Sequence, residues 1–295
     1  MMNDISQQCD FQVDKSKCIH CGFCEKVCNG AVIAYDEDRY PYMKPFERFG
    51  GAGCWKCQHC LAVCPVGAIS IFGKHPEDCS GKPDPKLGGE EVELVNYRRS
   101  CRRYKDKDVD PKIVDQILAA MENVPNGGNF MNIEYTVVDD KELARKIRST
   151  AFQEMEDAAA RGVYASTINQ QYYEQMKERA KVVRKGDLLF SGAPHFFIAH
   201  ADANNPFAGE IKNNCVIADA YFEILADSFG LGTLIMSYAP TVLNEIAPNA
   251  RKMLGIPDSH CIPLVVGFGY PEIKYARGVC KDRGDKTHRA SKGTL

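Results

Sequence analysis

From residue 94 onward, apolar residues recur along the chain at helical and strand spacings. After Asp110-Pro111, a cap residue followed by a first-turn proline, apolar residues return every three or four positions, which predicts a helix. The expected helices cover residues 110–121, 141–161, 169–184, 214–229, 242–247 and 250–254, and the expected strands cover residues 133–138, 194–201 and 262–268. This alternation predicts an α+β or α/β domain in which helices cover a small sheet.

The region before residue 72 is organised instead by two runs of cysteines with one spacing, C-x-x-C-x-x-C-x-x-x-C. The first run is Cys18, Cys21, Cys24 and Cys28, and the second is Cys54, Cys57, Cys60 and Cys64. This spacing is typical of thiolate ligands of two [4Fe–4S] clusters, in which the fourth cysteine of each run reaches the other cluster. We therefore expect one cluster on Cys18, Cys21, Cys24 and Cys64, and the other on Cys54, Cys57, Cys60 and Cys28. Structural zinc sites usually use cysteine pairs and four ligands in total, so they fit this pattern poorly.

The two runs also form an internal repeat, because Cys54 follows Cys18 by 36 positions. After the fourth cysteine the copies diverge, and the first copy reads as one residue shorter. It also lacks the proline that follows Cys64 in the second copy. Proline would fix the backbone there, so we expect a less rigid loop after Cys28 and regard Cys28 as the weakest ligand of the eight.

Composition divides the chain into four segments. Residues 1–72 are expected to form a ferredoxin-like domain with the two clusters. Residues 73–96, rich in glycine, proline and charged residues, are expected to be a linker. Residues 97–280 are expected to form the second domain, and residues 281–295 a polar tail.

Net charge and cysteine content limit the classes of function to be expected of this chain. The 295-residue chain has a formal net charge of −2, which gives no reason to expect nucleic acid or an anionic membrane surface as a partner. No apolar run approaches the ~20 residues needed to span a bilayer, and the amino terminus does not read as a signal peptide. We therefore expect a cytoplasmic protein whose cysteines are metal ligands or reduced thiols. Six cysteines have no partner spacing and are expected to be ordinary thiols: Cys9, Cys79, Cys101, Cys215, Cys261 and Cys280.

Six motifs follow one another along the second domain: Arg98-Arg99-Ser100-x-Arg102, Pro125-x-x-x-Asn129, Gly230-Leu231-Gly232-Thr233, Leu254-Gly255-Ile256-Pro257, Gly267-Phe268-Gly269-Tyr270-Pro271 and Lys274-Tyr275-x-Arg277. In their residues and their order, these motifs resemble those of the nitroreductase family of FMN-dependent enzymes. The whole layout resembles the subgroup with an amino-terminal two-cluster ferredoxin domain. The resemblance implies an α+β fold for both parts, a bacterial-ferredoxin-like domain followed by a central sheet covered by helices.

The resemblance also implies roles for individual residues. Arg98, Arg99, Ser100 and Arg102 would hold the FMN phosphate and ribityl chain, with Arg277 closing on the phosphate. Pro125, Asn126, Gly127 and Asn129 would approach the flavin from the neighbouring subunit of a homodimer, and Ile235, Met236 and Ser237 would lie against the ring edge. Relatives usually have serine at the position of Asn126 and an aromatic-rich stretch at Met131-Asn132-Ile133. Substrate preference therefore does not carry over.

The function expected from these features is an oxidoreductase that passes low-potential electrons from the clusters to FMN and on to a small organic acceptor of the nitroaromatic, quinone or activated-alkene class. The attached clusters indicate reduced ferredoxin or another iron–sulfur protein as the electron donor, although electrons could equally leave by that route. No G-x-G-x-x-G motif follows a strand, so no dedicated nicotinamide domain is expected. The alternative donor is NAD(P)H, which many single-domain relatives bind briefly over the flavin. The alternative is an electron carrier or redox sensor without a small-molecule substrate. Catalytic residues stay unassigned, because Tyr238 and His195 are proton-donor candidates by type alone and a structural role is expected for both.

Overall fold

The computed structural model describes residues 4–50, 52–79, 88–182, 187, 189–206 and 208–273. Two compact units emerge: residues 1–84, 124–133 and 207–217 form the first, and residues 85–123, 134–206 and 218–295 form the second. Several features predicted above lie outside the described residues: Arg277 and its motif, Cys280, the tail at 281–295 and part of the linker. The domain boundaries drawn from composition stay a prediction.

The first unit contains short strands and two short helices around a core that includes cysteine side chains. The strands pair antiparallel as β1 (Gln12–Val13) with β4 (Ile69–Ser70), and as β2 (Ile33–Tyr35) with β3 (Pro41–Met43). Helix α1 covers Phe23–Lys26 and helix α2 covers His59–Val63. Each helix begins one residue before the third cysteine of its run, so the two halves repeat the same local structure.

The backbone repeats more faithfully than the sequence suggests. Left-handed conformations occur at three pairs of positions that are 36 residues apart: His20 and Lys56, Gly22 and Gln58, and Ala31 and Gly67. The same offset relates Ile33 and Ile69, which begin β2 and β4. The expectation that the first copy is one residue shorter was therefore wrong. In both copies a backbone N–H three residues on donates to the carbonyl of the fourth cysteine, at 2.9 Å for Cys28 and 3.3 Å for Cys64, so the turn forms without proline.

The second unit is built on an antiparallel sheet. Its strands are β5 (Glu134–Val138), β6 (His195–Asp202), β7 (Gly232–Met236), β8 (His260–Cys261) and β9 (Val265–Gly269). The order is β5-β6-β9-β7, with β8 pairing the carboxyl end of β6. Strand β6 is buried from His195 to Ala201 and lies at the centre of the core, as its continuous apolar run predicts. Strand β7 was not predicted, because its apolar run follows directly on a helix end.

Seven helices of the described chain complete this picture: α3 (Gly88–Tyr97), α4 (Pro111–Met121), α5 (Lys141–Ala160), α6 (Gln170–Val182), α7 (Ala208–Ser228), α8 (Ala239–Glu245) and α9 (Pro248–Met253). The expected helices are confirmed, although α7 begins at Ala208 rather than at Asn214 and α8 begins at Ala239 rather than at Val242. Residues 183–184 of the expected helix 169–184 lie outside the described residues. Helix α3 occupies part of the segment predicted to be a linker. Acidic residues in its first turn favour a helix start there, which a composition count overlooks.

The turn at the end of α7 leads directly into strand β7. The Leu231 N–H donates to the Ala226 carbonyl at 3.1 Å and Gly230 has a φ of 75°, so the helix ends in the glycine-dependent turn that the sequence predicts. Strand β7 starts at once, and its Thr233 forms a bridge with Ser100, while the Cys101 N–H donates to the Thr233 carbonyl at 2.6 Å. The arginine-rich segment is thereby attached beside the end of α7. Among the described residues, no helix combines the length and the apolar character needed to cross a membrane.

Candidate functional site

The first cysteine set predicted from spacing lines one small cavity in the first unit. Cys18, Cys21, Cys24 and Cys64 face a space of about 20 Å³ whose other walls are largely apolar. Cys24 is placed by α1, and Cys64 by the turn that follows α2. Four thiols around one apolar space fit the donor set of a [4Fe–4S] cluster. Their role as ligands stays a prediction.

The second set lines a second cavity of the same size. Cys28, Cys54, Cys57 and Cys60 face it, together with apolar residues from β2, β3 and the segment after β4. Each cavity therefore takes three cysteines from one run and the fourth from the other. This is the crossed arrangement that the dicluster spacing predicts, and it requires both runs to fold together.

Polar contacts to the sulfur atoms add detail that the spacing does not contain. The Ala68 N–H donates to Cys64 Sγ at 3.2 Å, as expected for small residues close to a cluster. The buried Cys9 thiol hydrogen-bonds to Cys54, which lowers the pKa of the Cys54 thiol to about 7. Burial raises the pKa of Cys60 to about 12, so binding a metal at this thiol requires the loss of a proton. Sequence reasoning treated Cys9 as an ordinary thiol and missed this contact.

In the second unit, the arginine-rich segment lines a cavity of about 370 Å³. Arg98, Arg99, Ser100 and Arg102 all contribute to it. Opposite them lie the end of α7, the glycines that follow it, and Pro271 and Ile273. A cavity with several guanidinium groups and a hydroxyl along one wall suits a phosphate or another anion.

Arg98 is already engaged by carboxylates. Its Nη2 donates to Glu223 Oε1 at 2.9 Å, and its Nε lies 3.6 Å from Asp227 Oδ2. The Thr233 hydroxyl donates to the same Glu223 oxygen at 3.3 Å. Burial raises the pKa of Asp227 to about 7, against the opposing effect of Arg98. Arg98 therefore joins its segment to α7.

Arg99 and Arg102 differ in their exposure and in their hydrogen bonds. Arg99 is half-buried and donates to the backbone carbonyls of Asn96, at 2.6 Å, and of Arg98. Arg102 is exposed and donates to the Ser100 carbonyl at 3.2 Å. Arg102 also lines a second cavity, so it is the charged residue common to both.

The second cavity measures about 210 Å³ and contains the residues predicted to lie against a flavin ring. Ile235 and Met236 of β7 line it, together with Ser237 directly after the strand. Alternation along the strand leaves Ile235 about a third exposed and buries Met236. Tyr172 and Tyr238 form its aromatic wall, with ring centroids 5.1 Å apart. Cations in one cavity and an aromatic wall in the next fit an elongated molecule with a phosphate at one end and a planar ring at the other.

The predicted loop at Pro125–Asn129 belongs to the first unit. Its Gly127 N–H donates to Asn214 Oδ1 at 3.0 Å, and Asn126 Oδ1 accepts from the Met131 N–H at 3.1 Å. The Asn129 amide donates to the Trp55 carbonyl at 2.8 Å. This hydrogen bond joins the loop predicted to approach a flavin to the segment between Cys54 and Cys57.

The two proton-donor candidates, His195 and Tyr238, differ in whether they line a cavity. His195 is fully buried, its Nε2 accepts from the Val109 N–H at 3.1 Å, and burial lowers its pKa. This environment gives His195 a structural role. Tyr238 lies on the wall of the second cavity and remains open to it.

Comparison with known proteins identifies both parts of the chain. The nitroreductase family model matches residues 95–270, and a 4Fe-4S dicluster domain model matches residues 17–87. A candidate NADH dehydrogenase/NAD(P)H nitroreductase from Archaeoglobus fulgidus is 24% identical over 202 residues, covering 67% of this chain and 96% of that protein. An iodotyrosine deiodinase from Haliscomenobacter hydrossis is 21% identical over 187 residues, covering 62% of this chain and 79% of that protein.

The fold has a counterpart among solved structures. A nitroreductase with bound FMN from Desulfitobacterium hafniense superposes with a TM-score of 0.53 and 21% identity, covering 68% of this chain and 98% of that chain. The expected combination of a ferredoxin-like part and an α+β part is confirmed by these matches.

Proposed function

This chain belongs to the nitroreductase family, and on that premise we propose that it is a flavin-dependent reductase supplied with electrons by its own iron–sulfur clusters. FMN, when bound, would supply the exchange between one-electron and two-electron chemistry that a small organic acceptor requires. The two [4Fe–4S] clusters would supply electrons from reduced ferredoxin or a similar iron–sulfur donor. The clusters would use the two crossed cysteine sets described above.

The residues around the two cavities would hold FMN by its ends. Arg102 and Ser100, with the guanidinium group of Arg99, offer donors for the phosphate. Ile235 and Ser237 offer the ring an edge of β7. Arg98 would act indirectly, by keeping the segment fixed to Glu223. This assignment is supported by the shared position of Arg102 between the two cavities.

The observation that carries the electron path is the hydrogen bond from the Asn129 amide to the Trp55 carbonyl. Trp55 lies directly after Cys54 and two residues before Cys57, which belong to one cluster set. Asn129 belongs to the loop that the family resemblance brings to a flavin. We therefore assign delivery to the flavin to the cluster on Cys28, Cys54, Cys57 and Cys60, and entry from the donor to the other cluster.

The flavin reached by this loop would be that of a neighbouring subunit, so the proposal includes a homodimer. The family resemblance implies this arrangement, because it brings Pro125, Asn126, Gly127 and Asn129 to the flavin from the neighbouring subunit. Helix α7 offers surface for association, since Val216, Ile217 and Tyr221 are each more than a third exposed. Apolar side chains of this size lower the free energy of association when they are buried.

The acceptor would lie on the open side of the second cavity. Tyr172 and Tyr238 present an aromatic wall there, and planar acceptors such as nitroaromatics, quinones or activated alkenes suit such a wall. Of the two proton-donor candidates, Tyr238 would be the donor, because it lines this cavity whereas His195 is buried and accepts a hydrogen bond from the Val109 N–H.

A single cysteine variant tests the proposed path. Cys57→Ser should lower turnover driven by reduced ferredoxin by at least tenfold, while turnover driven by a small-molecule reductant of flavin should stay within twofold of wild type. The matched control is Cys79→Ser, which alters an exposed cysteine outside both runs and should change neither rate. Iron and FMN contents of each variant confirm that only the cluster is affected. Equal loss of both activities in Cys57→Ser, with FMN retained, would contradict electron entry through the clusters.

A further inference from the structure

Three strands of the second unit bring a glutamate and two histidines together, away from both flavin cavities. Glu134 of β5 lies directly opposite His200 of β6, and Asp202 of β6 lies opposite His260 of β8. Side chains alternate along a strand, so Glu134, His200 and His260 share one face of the sheet. One possible ligand atom from each residue lies within 4.8 Å of the others.

The two imidazole rings point their Nδ1 atoms at each other. The distance from His200 Nδ1 to His260 Nδ1 is 2.9 Å, and His260 Nε2 lies 3.9 Å from Glu134 Oε1. Two nitrogen atoms bound to one tetrahedral zinc ion are about 3.3 Å apart, given Zn–N distances near 2.0–2.1 Å. The histidine pair is therefore close to the spacing of a shared ion, and Glu134, whose side chain is 65% exposed, has freedom to close on it.

A supporting residue fixes the buried histidine. The Thr136 hydroxyl lies 2.9 Å from His200 Nε2, on the side of the ring opposite His260. When Nε2–H donates to this hydroxyl, the lone pair of His200 is on Nδ1 and faces His260. Metal-bound histidines commonly donate their second ring N–H to an oxygen in this way.

Two carboxylates, Glu134 and Asp202, and one cation, Arg251, surround the site, so the net charge of these side chains favours a bound cation. The Arg251 guanidinium is turned toward backbone carbonyls, donating to Pro257 O at 2.8 Å and to His260 O. Asp202 accepts hydrogen bonds from Asn204 and contributes negative charge nearby.

We propose that Glu134, His200 and His260 form a binding site for a divalent transition metal, with zinc as the preferred ion and solvent as the fourth ligand. Imidazole and carboxylate ligands suit zinc, and two histidines with one carboxylate leave a coordination position open. Binding through both Nδ1 atoms requires the single ring proton of His260 to lie on Nε2, so both imidazoles would bind as neutral rings and no net proton would be released.

The first test measures where zinc binds in the intact protein. Protein with full iron and FMN content is passed over a chelating resin, supplied with one equivalent of Zn²⁺, desalted, and assayed for zinc and iron. We expect about one zinc per chain with iron unchanged. Zinc-edge X-ray absorption should then show nitrogen and oxygen at about 2.0 Å without sulfur at about 2.3 Å. Sulfur scattering would place zinc at the cysteines and overturn the proposal, as would failure to retain zinc.

Variants provide the second test. His260→Gln should weaken zinc binding by more than a hundredfold, and Thr136→Val should weaken it by about tenfold, because it removes only the partner of His200 Nε2. The control His75→Gln alters an exposed histidine of the first unit and should bind zinc as wild type does. His200→Gln is avoided because the residue is buried, and unchanged iron, FMN and melting temperature confirm that His260→Gln is folded. Equal zinc affinity in His260→Gln and wild type would overturn the proposal.

Discussion

The division of labour among the arginines makes the sharpest prediction. Arg98→Gln should destabilise the FMN-free protein, because it removes the cation held between Glu223 and Asp227. Arg102→Gln should leave the stability of the FMN-free protein unchanged and weaken FMN binding. The two substitutions are chemically identical and four residues apart, so each serves as a control for the other.

The magnitude follows from burial of the ion pair. The side chains of Arg98, Glu223 and Asp227 are 25%, 11% and 11% exposed. Removing one partner of a fully buried pair costs about 3–5 kcal/mol. Partial exposure and uptake of a proton by Asp227 reduce the cost, so we expect a loss of about 2–3 kcal/mol in the free energy of unfolding.

The loss should depend on pH. The pKa of Asp227 is about 7 in the folded protein, well above its ordinary value near 4, so its contribution to stability is greatest below pH 4 and declines as pH rises toward 7. Removing Arg98 raises this pKa further. The deficit of Arg98→Gln relative to wild type should therefore widen as pH rises from 6 to 8.

The assay is urea unfolding followed by circular dichroism, without FMN, combined with titration of FMN fluorescence. Arg102→Gln should weaken FMN binding by at least tenfold, since a hydrogen bond to a charged group contributes about 1.5–3 kcal/mol. Arg161→Gln, an exposed change at the end of α5, should alter neither quantity. Unchanged stability of Arg98→Gln without FMN, or unchanged FMN affinity of Arg102→Gln, would refute this reasoning.

Three further substitutions test other parts of the structure. Asp219 is fully buried and burial raises its pKa to about 8, so this residue alone should lower wild-type stability by up to about 1.4 kcal/mol per pH unit between pH 4 and 8. Asp219→Asn should make the pH dependence of the melting temperature correspondingly shallower, leaving the part due to Asp227, and an unchanged slope would contradict the assignment. A Cβ atom at Gly232 would lie 2.7 Å from Cys101 Sγ, so Gly232→Ala should cost about 1–3 kcal/mol and reduce FMN content, and an unaffected melting temperature would count against the packing described. Asn129→Ala removes the hydrogen bond to Trp55 and should slow ferredoxin-driven turnover more than turnover with a small-molecule flavin reductant; equal slowing would remove support for this path.

The sequence anticipates the cysteine cavities well because the information is local. Three ligands of each set lie within one run, and only the fourth must come from the other run. The apparent mismatch after Cys28 was misleading, because matching Gly30-Ala31 with Gly67-Ala68 shifts the comparison by one residue. The constant offset of 36 instead places Asn29 at the position of Pro65. The contact between Cys9 and Cys54 could not be predicted, because no spacing rule relates the two positions.

The second unit contains features that local sequence patterns do not predict. The run of arginines indicates an anion site, but it does not reveal that Arg98 is held by Glu223, which lies 125 residues away on a largely apolar helix. Strand β7 follows α7 without a separating polar segment, so its boundary is hidden in the pattern. The cluster of Glu134, His200 and His260 depends on the register of three strands, which hydrophobic periodicity does not determine.

The central claim, that the clusters supply the flavin, is tested most directly by stepwise anaerobic reduction of the purified protein with its cofactors counted. The account predicts about eight irons and one FMN per chain, with electrons added through reduced ferredoxin passing from clusters to flavin until both are reduced. Addition of an acceptor should then reoxidise flavin and clusters together, faster than free FMN reacts. Full iron with no bound flavin, or clusters that stay reduced while the flavin is reoxidised by the acceptor, would contradict it.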